Sequence, residues 1–198
     1  MNVRLSRSDF PVLKIDIRRP QIEDKDGLNQ FFSTVIKHTF AREGLAELLD
    51  DIESEIESKK QYLKSDLDTN GTNRYFLIAS EKNDADIIGT IEYGPASELI
   101  RTCTDGVLNE MYEIGTVFVH PDYQGRGVGT LLLNVMFLTF LNRGIQEFCL
   151  DSGYANAQKI WKQKFGEPDY WLKDHWGDGA DHMIWKRSMN DVSINFRW

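Results

Sequence analysis

The sequence of 198 residues lacks most of the features that mark secreted and membrane proteins. It has only two cysteines, Cys103 and Cys149, which indicates a reducing compartment and no disulfide framework. The most apolar stretch, residues 128–141, contains polar side chains and is shorter than the ~20 residues that a membrane-spanning helix needs. Residues 1–20 lack the apolar core of a signal peptide. We therefore expect a cytoplasmic protein without a membrane partner.

Positive charge is also scarce. The chain carries 23 Lys and Arg residues against 31 Asp and Glu residues, a formal net charge of −8. A nucleic acid would be repelled by this charge, so we expect no nucleic-acid partner. The sequence shows no internal repeat, linker or low-complexity segment. We therefore predict one domain, residues 1–198, large enough to bury a core.

The apolar pattern predicts an α/β domain. The predicted strands are residues 12–18, 74–80, 86–94, 110–119, 148–151, 170–173 and 182–187. A first helix is predicted after Asp24, and further helices at residues 44–64, 130–143 and 156–165. Residues 81–84 are a predicted loop, and residues 96–109 have no clear pattern.

The most informative segment is a glycine-rich turn between the fourth strand and the following helix. Gly125, Gly127 and Gly129 alternate with other residues just before the apolar helix. Such a turn can direct several backbone N–H groups at one anion, and the helix dipole favours negative charge there. Glycine permits positive φ angles and a close approach of phosphate oxygens. The segment therefore predicts a pyrophosphate site.

Two common nucleotide loops do not fit this turn. A P-loop needs Lys followed by Ser or Thr after its last glycine, and here Thr130-Leu131 follows. A dinucleotide fingerprint needs the spacing G-x-G-x-x-G, and residue 130 is not glycine. Three alternating glycines can also form a plain strand-to-helix turn, but the order of strand, turn and long apolar helix favours a binding loop.

Residues 113–143 resemble motif A of the GNAT superfamily of N-acetyltransferases, whose loop pattern is Gln/Arg-x-x-Gly-x-Gly/Ala. Gln124, Gly127 and Gly129 match that pattern, and Val-His-Pro at residues 119–121 matches the usual strand exit. Asn156 resembles the Asn that begins the next helix of the family. Phe165-Gly166 resembles the end of that helix. The N-terminal half agrees in the order of its elements but has no comparably specific motif.

The resemblance implies a fold and a co-substrate. The fold is a mixed central sheet flanked by helices and splayed between the fourth and fifth strands. Acetyl-coenzyme A would lie in the splay, with the pyrophosphate on the backbone N–H groups of the loop and the pantetheine along the fourth strand. The implied cofactor-binding residues are Phe118, Val119, Gln124, Gly125, Arg126, Gly127, Val128, Gly129, Thr130 and Asn156.

Amide formation needs a neutral amine, and an amine of pKa ~10.4 is almost fully protonated at pH 7. A group on the enzyme must therefore accept a proton. Glu113 is the candidate, because it precedes the loop on the cofactor-binding strand, where some GNAT branches place a catalytic Glu. Burial would raise its pKa toward a useful value. Glu110 is a weaker substitute, and a purely structural role for Glu113 stays open.

The residue that would protonate the leaving thiolate is not assigned. Many GNAT members use a Tyr four residues before the Gly that ends the last helix, and that position is Lys162 here. Tyr154 and Tyr170 are nearby in sequence but do not align. Water, or no dedicated acid, would suffice, because a thiolate leaves readily near its pKa of ~8.5.

Three other features have simpler explanations than a role in function. The acidic helix 44–64 lies where GNAT proteins shape the acceptor site, but such a run is usually a solvated face. His175, His182 and the nearby aspartates match no compact metal motif, so no metal is predicted. The apolar chain end, with Phe196 and Trp198, is expected to pack on the domain or on a second subunit of a homodimer.

We therefore predict an N-acetyltransferase that moves an acetyl group from acetyl-CoA to a primary amine by direct attack in a ternary complex. The acceptor is a small molecule or a peptide. The alternative is a non-catalytic acyl-CoA-binding regulatory module of the same fold.

Overall fold

The computed structural model describes residues 14–81 and 86–196. Residues 12 and 13 of the first predicted strand, residues 82–84 of the predicted loop, and Trp198 lie outside this part. The strands are β1 (Ile15–Arg18), β2 (Tyr75–Glu81), β3 (Ile87–Pro95), β4 (Tyr112–Val119), β5 (Glu147–Ser152), β6 (Tyr170–Leu172) and β7 (His182–Ser188). The helices are α1 (Lys25–Arg42), α2 (Leu49–Thr69), α3 (Glu98–Cys103), α4 (Val128–Arg143) and α5 (Ala155–Phe165).

The strands form one mixed sheet in the order β1-β2-β3-β4-β5-β7-β6. Neighbouring strands are antiparallel except β4 and β5, which are parallel. A parallel pair needs a long crossover, and α4 provides it. The predicted mixed sheet flanked by helices is confirmed.

β4 and β5 separate soon after they meet. They share two residue pairs, Tyr112 with Phe148 and Glu113 with Cys149. By comparison, β5 and β7 share six pairs. The rest of β4 therefore runs alongside a gap, and the predicted splay between the fourth and fifth strands is confirmed.

A bulge in β4 produces this separation. Thr90 of β3 pairs with Phe118 of β4, and Glu92 pairs with Gly115. A step of two residues along β3 therefore corresponds to a step of three residues along β4. Thr116, in this segment, has a left-handed φ of 50°. Its carbonyl accepts the Thr90 hydroxyl at 2.9 Å, and its own hydroxyl lies 3.3 Å from Glu92 Oε1. A bulge bends its strand and increases the twist, so β4 turns away from β5.

The two faces of the sheet bury different cores. The pleat alternates side chains between faces, and α4 and α5 cover one of them. The larger core on that side includes Leu77, Ile91, Ile114, Leu132, Phe140, Phe148, Leu150 and Trp185. On the opposite face α1 and α2 pack over β2, with Leu28, Phe32, Ile52, Ile56, Leu63, Phe76 and Ile78. None of the helices in the described residues is both long and apolar enough to cross a membrane.

Several element boundaries differ from the sequence-based prediction. α2 begins at Leu49 and not at Gly44, because residues 45–48 form turns after α1. Leu45, Leu48 and Leu49 are consequently exposed, and only the later apolar positions of α2 are buried. The unassigned segment 96–109 contains α3, whose N-cap Ser97 accepts the N–H of Ile100.

A charged pair lies inside the domain between β2 and β3. Arg74 Nη1 is 2.8 Å from Glu92 Oε2, and Glu92 is fully buried while Arg74 is 8% exposed. The Arg74 guanidinium also stacks on the Tyr62 ring at 3.5 Å. Burial raises the pKa of the Glu92 carboxyl, and the charge of Arg74 opposes this change. Arg74 therefore compensates a buried carboxylate.

Candidate active site

The glycine turn connects the end of β4 to α4. After a short 3-10 turn, Pro121–Tyr123, the chain passes through Gly125 with φ 74° and Gly127 with φ 89°. Both angles are left-handed, a conformation that glycine adopts without strain. A Cβ atom at either position would meet no described atom within 4 Å. The backbone conformation thus requires glycine, and the space beside it is open to a ligand.

The N-terminus of α4 presents free amides to this space. Leu131 N–H donates to the carbonyl of Gly127 at 3.0 Å, so the N–H groups of Val128, Gly129 and Thr130 lie outside the helix ladder. The first turn of α4, which is described in full, has no acidic side chain. Free amides and the positive end of the helix dipole together favour an anion such as a pyrophosphate.

The side chain of Gln124 ties the loop to two other elements. Its Nε2 donates to the carbonyl of Val119 at 3.2 Å. Its Oε1 accepts a hydrogen bond from Arg42 Nη1, at the end of α1, at 2.8 Å. The loop is therefore anchored to β4 and to α1.

Two more cations stand near the loop. Lys164 of α5 donates to Thr130 Oγ1 at 3.0 Å. The Arg126 guanidinium lies over the Tyr123 ring at 5.2 Å. Together with Arg42, these side chains place positive charge around the open space, although the protein as a whole is acidic.

Phe118 and Val119 lie beyond the bulge. On one side they pair with β3, Phe118 with Thr90 and Val119 with Gly89. On the other side no described residue of β5 pairs with them. This edge can accept an extended ligand as an added strand, as expected for pantetheine.

Asn156 lies across the gap from the loop, in the first turn of α5. Its Nδ2 donates to Glu43 Oε1 at 2.8 Å, and the backbone N–H groups of Ala155 and Asn156 also donate to the Glu43 carboxylate. Glu43 follows Arg42 directly. Two consecutive residues at the end of α1 therefore reach Gln124 on one side of the gap and Asn156 on the other.

Glu113 lies on β4 just before the bulge. It is 7% exposed, and its Oε2 accepts the N–H of Ser97 at 2.6 Å. Burial, and after it the negative charges of Asp151 and Glu92, raise the pKa of Glu113 to about 8. A carboxyl with such a pKa can take up and release a proton near neutral pH.

A hydrogen-bonded chain of three side chains lies next to Glu113. Trp176 Nε1 donates to His182 Nδ1 at 3.0 Å, and His182 Nε2 lies 3.0 Å from Asp151 Oδ2. Asp151 belongs to β5, His182 begins β7, and Trp176 lies in the loop between β6 and β7. This chain fixes the β6–β7 loop against the gap.

Neither candidate near α5 is placed as a ready proton donor. Lys162, at the position of the usual Tyr, pairs with Glu167 at 3.1 Å and lies over the Trp171 ring at 4.2 Å. Burial and the charges of Glu55, Glu43 and Asp51 raise the pKa of Tyr154 above its usual range.

The predicted cofactor residues from Phe118 to Thr130 lie along one continuous segment, while Asn156 and Glu113 flank it. Sequence analysis did not select Arg42, Glu43 or Asp151. Arg42 is 82 residues from Gln124, and Glu43 is 113 residues from Asn156. No local pattern marks contacts of that separation. His182 was considered only as a possible metal ligand, and its links to Trp176 and Asp151 are visible only in three dimensions.

Residues 42–167 match the acetyltransferase (GNAT) family, so the chain belongs to this family of acetyltransferases, whose co-substrate is acetyl-CoA. No curated protein matches the sequence.

Solved structures share the fold. The PaiA N-acetyltransferase of Thermoplasma acidophilum, in complex with coenzyme A, is 21% identical with a TM-score of 0.62, covering 89% of this chain and 99% of that one. The ribosomal-protein-alanine N-acetyltransferase of Brucella melitensis is 20% identical with a TM-score of 0.61, covering 87% and 98%. YncA of Salmonella typhimurium, solved with its cofactor acetyl-CoA, is 16% identical with a TM-score of 0.64, covering 93% and 99%.

Proposed function

We propose that this acetyltransferase moves the acetyl group of acetyl-CoA to a primary amine, by direct attack in a ternary complex. The observation that supports this most is a buried carboxyl, Glu113, at the closed end of a strand gap whose open end carries the anion loop. A cofactor that runs along the gap would bring its thioester toward Glu113. Holding both reactants there would supply much of the rate.

The cofactor would bind mainly through the backbone. N–H groups of the loop and of the first turn of α4 would hold the pyrophosphate, and the free edge at Phe118 and Val119 would pair with the pantetheine amides. The segment provides the N–H groups of Gly125, Gly127, Val128, Gly129 and Thr130. Gln124, Arg126 and Asn156 would contribute through their side chains.

Replacing Gly127 with valine should weaken the binding of acetyl-CoA by at least about tenfold. A β-branched residue at φ 89° costs on the order of 1–3 kcal/mol, and its side chain would enter the space of the phosphate. Calorimetric titration with acetyl-CoA measures the effect. Gly144→Val is the matched control, because Gly144 has φ 70°, has no described atom near its Cβ position and lies at the other end of α4. Equal losses in both variants would contradict a specific role for Gly127.

Glu113 would act as the general base. The acceptor amine loses one proton to the Glu113 carboxylate, directly or through water, and its nitrogen attacks the thioester carbonyl. The carbon–sulfur bond then breaks, and the second proton of the amine is lost as the amide forms. That proton reaches the thiolate through water, which gives free coenzyme A.

The rate should depend on pH through Glu113. Because burial and nearby carboxylates raise the pKa of Glu113 to about 8, the side chain is protonated at lower pH and cannot accept a proton. We expect kcat/KM to fall about tenfold for each pH unit below that value and to level off above it. Steady-state rates between pH 6 and pH 9.5 test this, and a flat profile over that range would contradict the assignment.

The family alternative is a non-catalytic acyl-CoA-binding module, and the surface pairing of Lys162 in place of the usual Tyr is the observation in its favour. Thiol release from acetyl-CoA separates the two functions. The probes are n-butylamine, spermidine, free lysine and a short peptide with N-terminal alanine. Release with any of them supports the enzyme, and tight binding without release supports the module.

The cellular setting follows from composition. Cys103 and Cys149 are both free thiols. We propose a cytoplasmic location, because a reducing compartment keeps such thiols free. We also propose a single functional domain, because the described strands form one sheet.

A further inference from the structure

The tautomer of His182 follows from the hydrogen bonds of its two ring nitrogens. An indole N–H can only donate a hydrogen bond, so His182 Nδ1, which receives it from Trp176, carries no proton. The proton of the neutral ring must then lie on Nε2, which donates to the Asp151 carboxylate at 3.0 Å. The hydrogen bonds are therefore donated in one direction, from Trp176 to His182 and from His182 to Asp151.

The packing around this chain leaves little freedom. His182 is 4% exposed. A Cβ atom at Gly153 would lie 2.8 Å from Trp176 Nε1 and 3.2 Å from His182 Nδ1, so only glycine fits between them. Asp181 fixes the same loop, since its carboxylate accepts from Trp171 Nε1 at 2.6 Å and from the N–H of Asp174 at 3.0 Å. His182, which bonds Asp151, is thus closely packed between Trp176 and Gly153.

Asp151 faces the same side of the sheet as Glu113. Glu113 pairs with Cys149 across the parallel strands, and Asp151 is two residues further along β5, where the pleat returns to the same face. Of the two Asp151 carboxylate oxygens, Oδ2 accepts the hydrogen bond from His182, and the Asp151 side chain is 23% exposed. The other oxygen, Oδ1, accepts no hydrogen bond from a described residue and is available to a ligand.

We propose that Asp151 is a positioning residue for the acceptor: it binds the amine in its protonated form and holds it beside Glu113. This inference rests on the proposed acetyl transfer. A primary amine of pKa ~10 reaches the site as an ammonium ion near neutral pH. Asp151 would hold that ion while Glu113 takes one proton from it, and the neutral nitrogen is then ready to attack the thioester.

The other charged or titratable groups that face Glu113 could in principle compete with Asp151 for this role. They are the Glu92 carboxylate of β3, the Lys59 ammonium of α2 and the Cys149 thiol of β5. Glu92 is engaged by Arg74, and Lys59 lies 3.4 Å from Glu55. Among the described carboxylates whose charge acts on Glu113, Asp151 is therefore the one with an oxygen that accepts no described hydrogen bond.

The test is Asp151→Asn, which keeps the shape of the side chain and removes its charge. The carboxyl of Glu113 is followed by carbon-13 NMR against pH in the full chain, with Glu113→Gln used to assign the signal. We expect the Glu113 midpoint to fall by about one pH unit, because a nearby like charge has been removed. In the thiol-release assay, KM for the best amine of the panel should rise at least about tenfold, while KM for acetyl-CoA stays unchanged.

Asp181→Asn is the matched control, since it loosens the β6–β7 loop without removing a charge that faces Glu113. This variant should leave the titration midpoint of Glu113 unchanged. An unchanged midpoint in Asp151→Asn would overturn the proposal, as would an unchanged KM for the amine or an equal midpoint change in Asp181→Asn. If the unaltered protein binds acetyl-CoA but releases no thiol with any amine, the proposed function fails instead, and the NMR comparison still decides whether Asp151 acts on Glu113.

Discussion

Replacing Glu113 with glutamine is expected to lower kcat/KM for amine acetylation by about 100-fold or more, the usual contribution of a general base. Glutamine has nearly the same shape, and its carbonyl oxygen can still accept the N–H of Ser97, which Glu113 Oε2 accepts at 2.6 Å. The variant should therefore fold and bind acetyl-CoA with unchanged affinity. Thiol release and calorimetric titration measure the two properties on the same sample.

Glu110→Gln is the natural control for this experiment. Glu110 is exposed and lies three residues before Glu113, outside β4. Its replacement makes the same chemical change and should leave kcat/KM within about twofold of the unaltered protein. If Glu113→Gln keeps full activity, or if Glu110→Gln loses as much, the base has been assigned to the wrong residue.

Replacing Arg74 with methionine should destabilise the domain by about 3–5 kcal/mol, the usual effect of removing one partner of a buried ion pair. Glu92 is fully buried, and Arg74 lies 2.8 Å from its carboxylate. Without Arg74, the pKa of Glu92 would rise further in the folded state. When the pKa of Glu92 is higher in the folded than in the unfolded state, the free energy of unfolding is unaffected below the unfolded-state pKa of ~4.3 and falls as the pH rises toward the folded-state pKa. The loss of stability in Arg74→Met should therefore be smaller at pH 5 than at pH 8.

Urea unfolding of Arg74→Met at both pH values tests this expectation. The double variant Arg74→Met/Glu92→Met removes both charges and should recover most of the lost free energy of unfolding, because no uncompensated carboxylate remains. A single variant that loses less than about 1 kcal/mol would show that Glu92 finds another partner. Besides Arg74, Lys59 is the cation whose charge acts on the Glu92 carboxyl.

The anion loop could be predicted from the sequence because its requirements are local. Gly125 and Gly127 adopt positive φ angles, which few other residues tolerate, and the strand and helix on either side are marked by their apolar periodicity. The bulge was not predicted. Thr116 and Val117 are β-branched, which favours an unbroken strand, and the local signal for a bulge is Gly115 inside the strand.

The chemistry around Glu113 was predictable only in part. Its position on the strand before the loop was sufficient to select it, but the groups that raise its pKa, Asp151 and Glu92, belong to other strands. The start of α2 was misplaced for a related reason. Leu45, Leu48 and Leu49 fit a helical period, yet these residues stay exposed, and tertiary packing overrides such local patterns.

The two residue pairs between β4 and β5 connect the two parts of the sheet, one of four strands and one of three. Beyond these pairs, the two parts are connected by the core under α4 and α5. A ligand that forms hydrogen bonds along the unpaired stretch of β4 would link the two parts reversibly. The free energy of unfolding of this domain would then rise with the concentration of its own co-substrate, because ligand binding to the folded form adds to its stability.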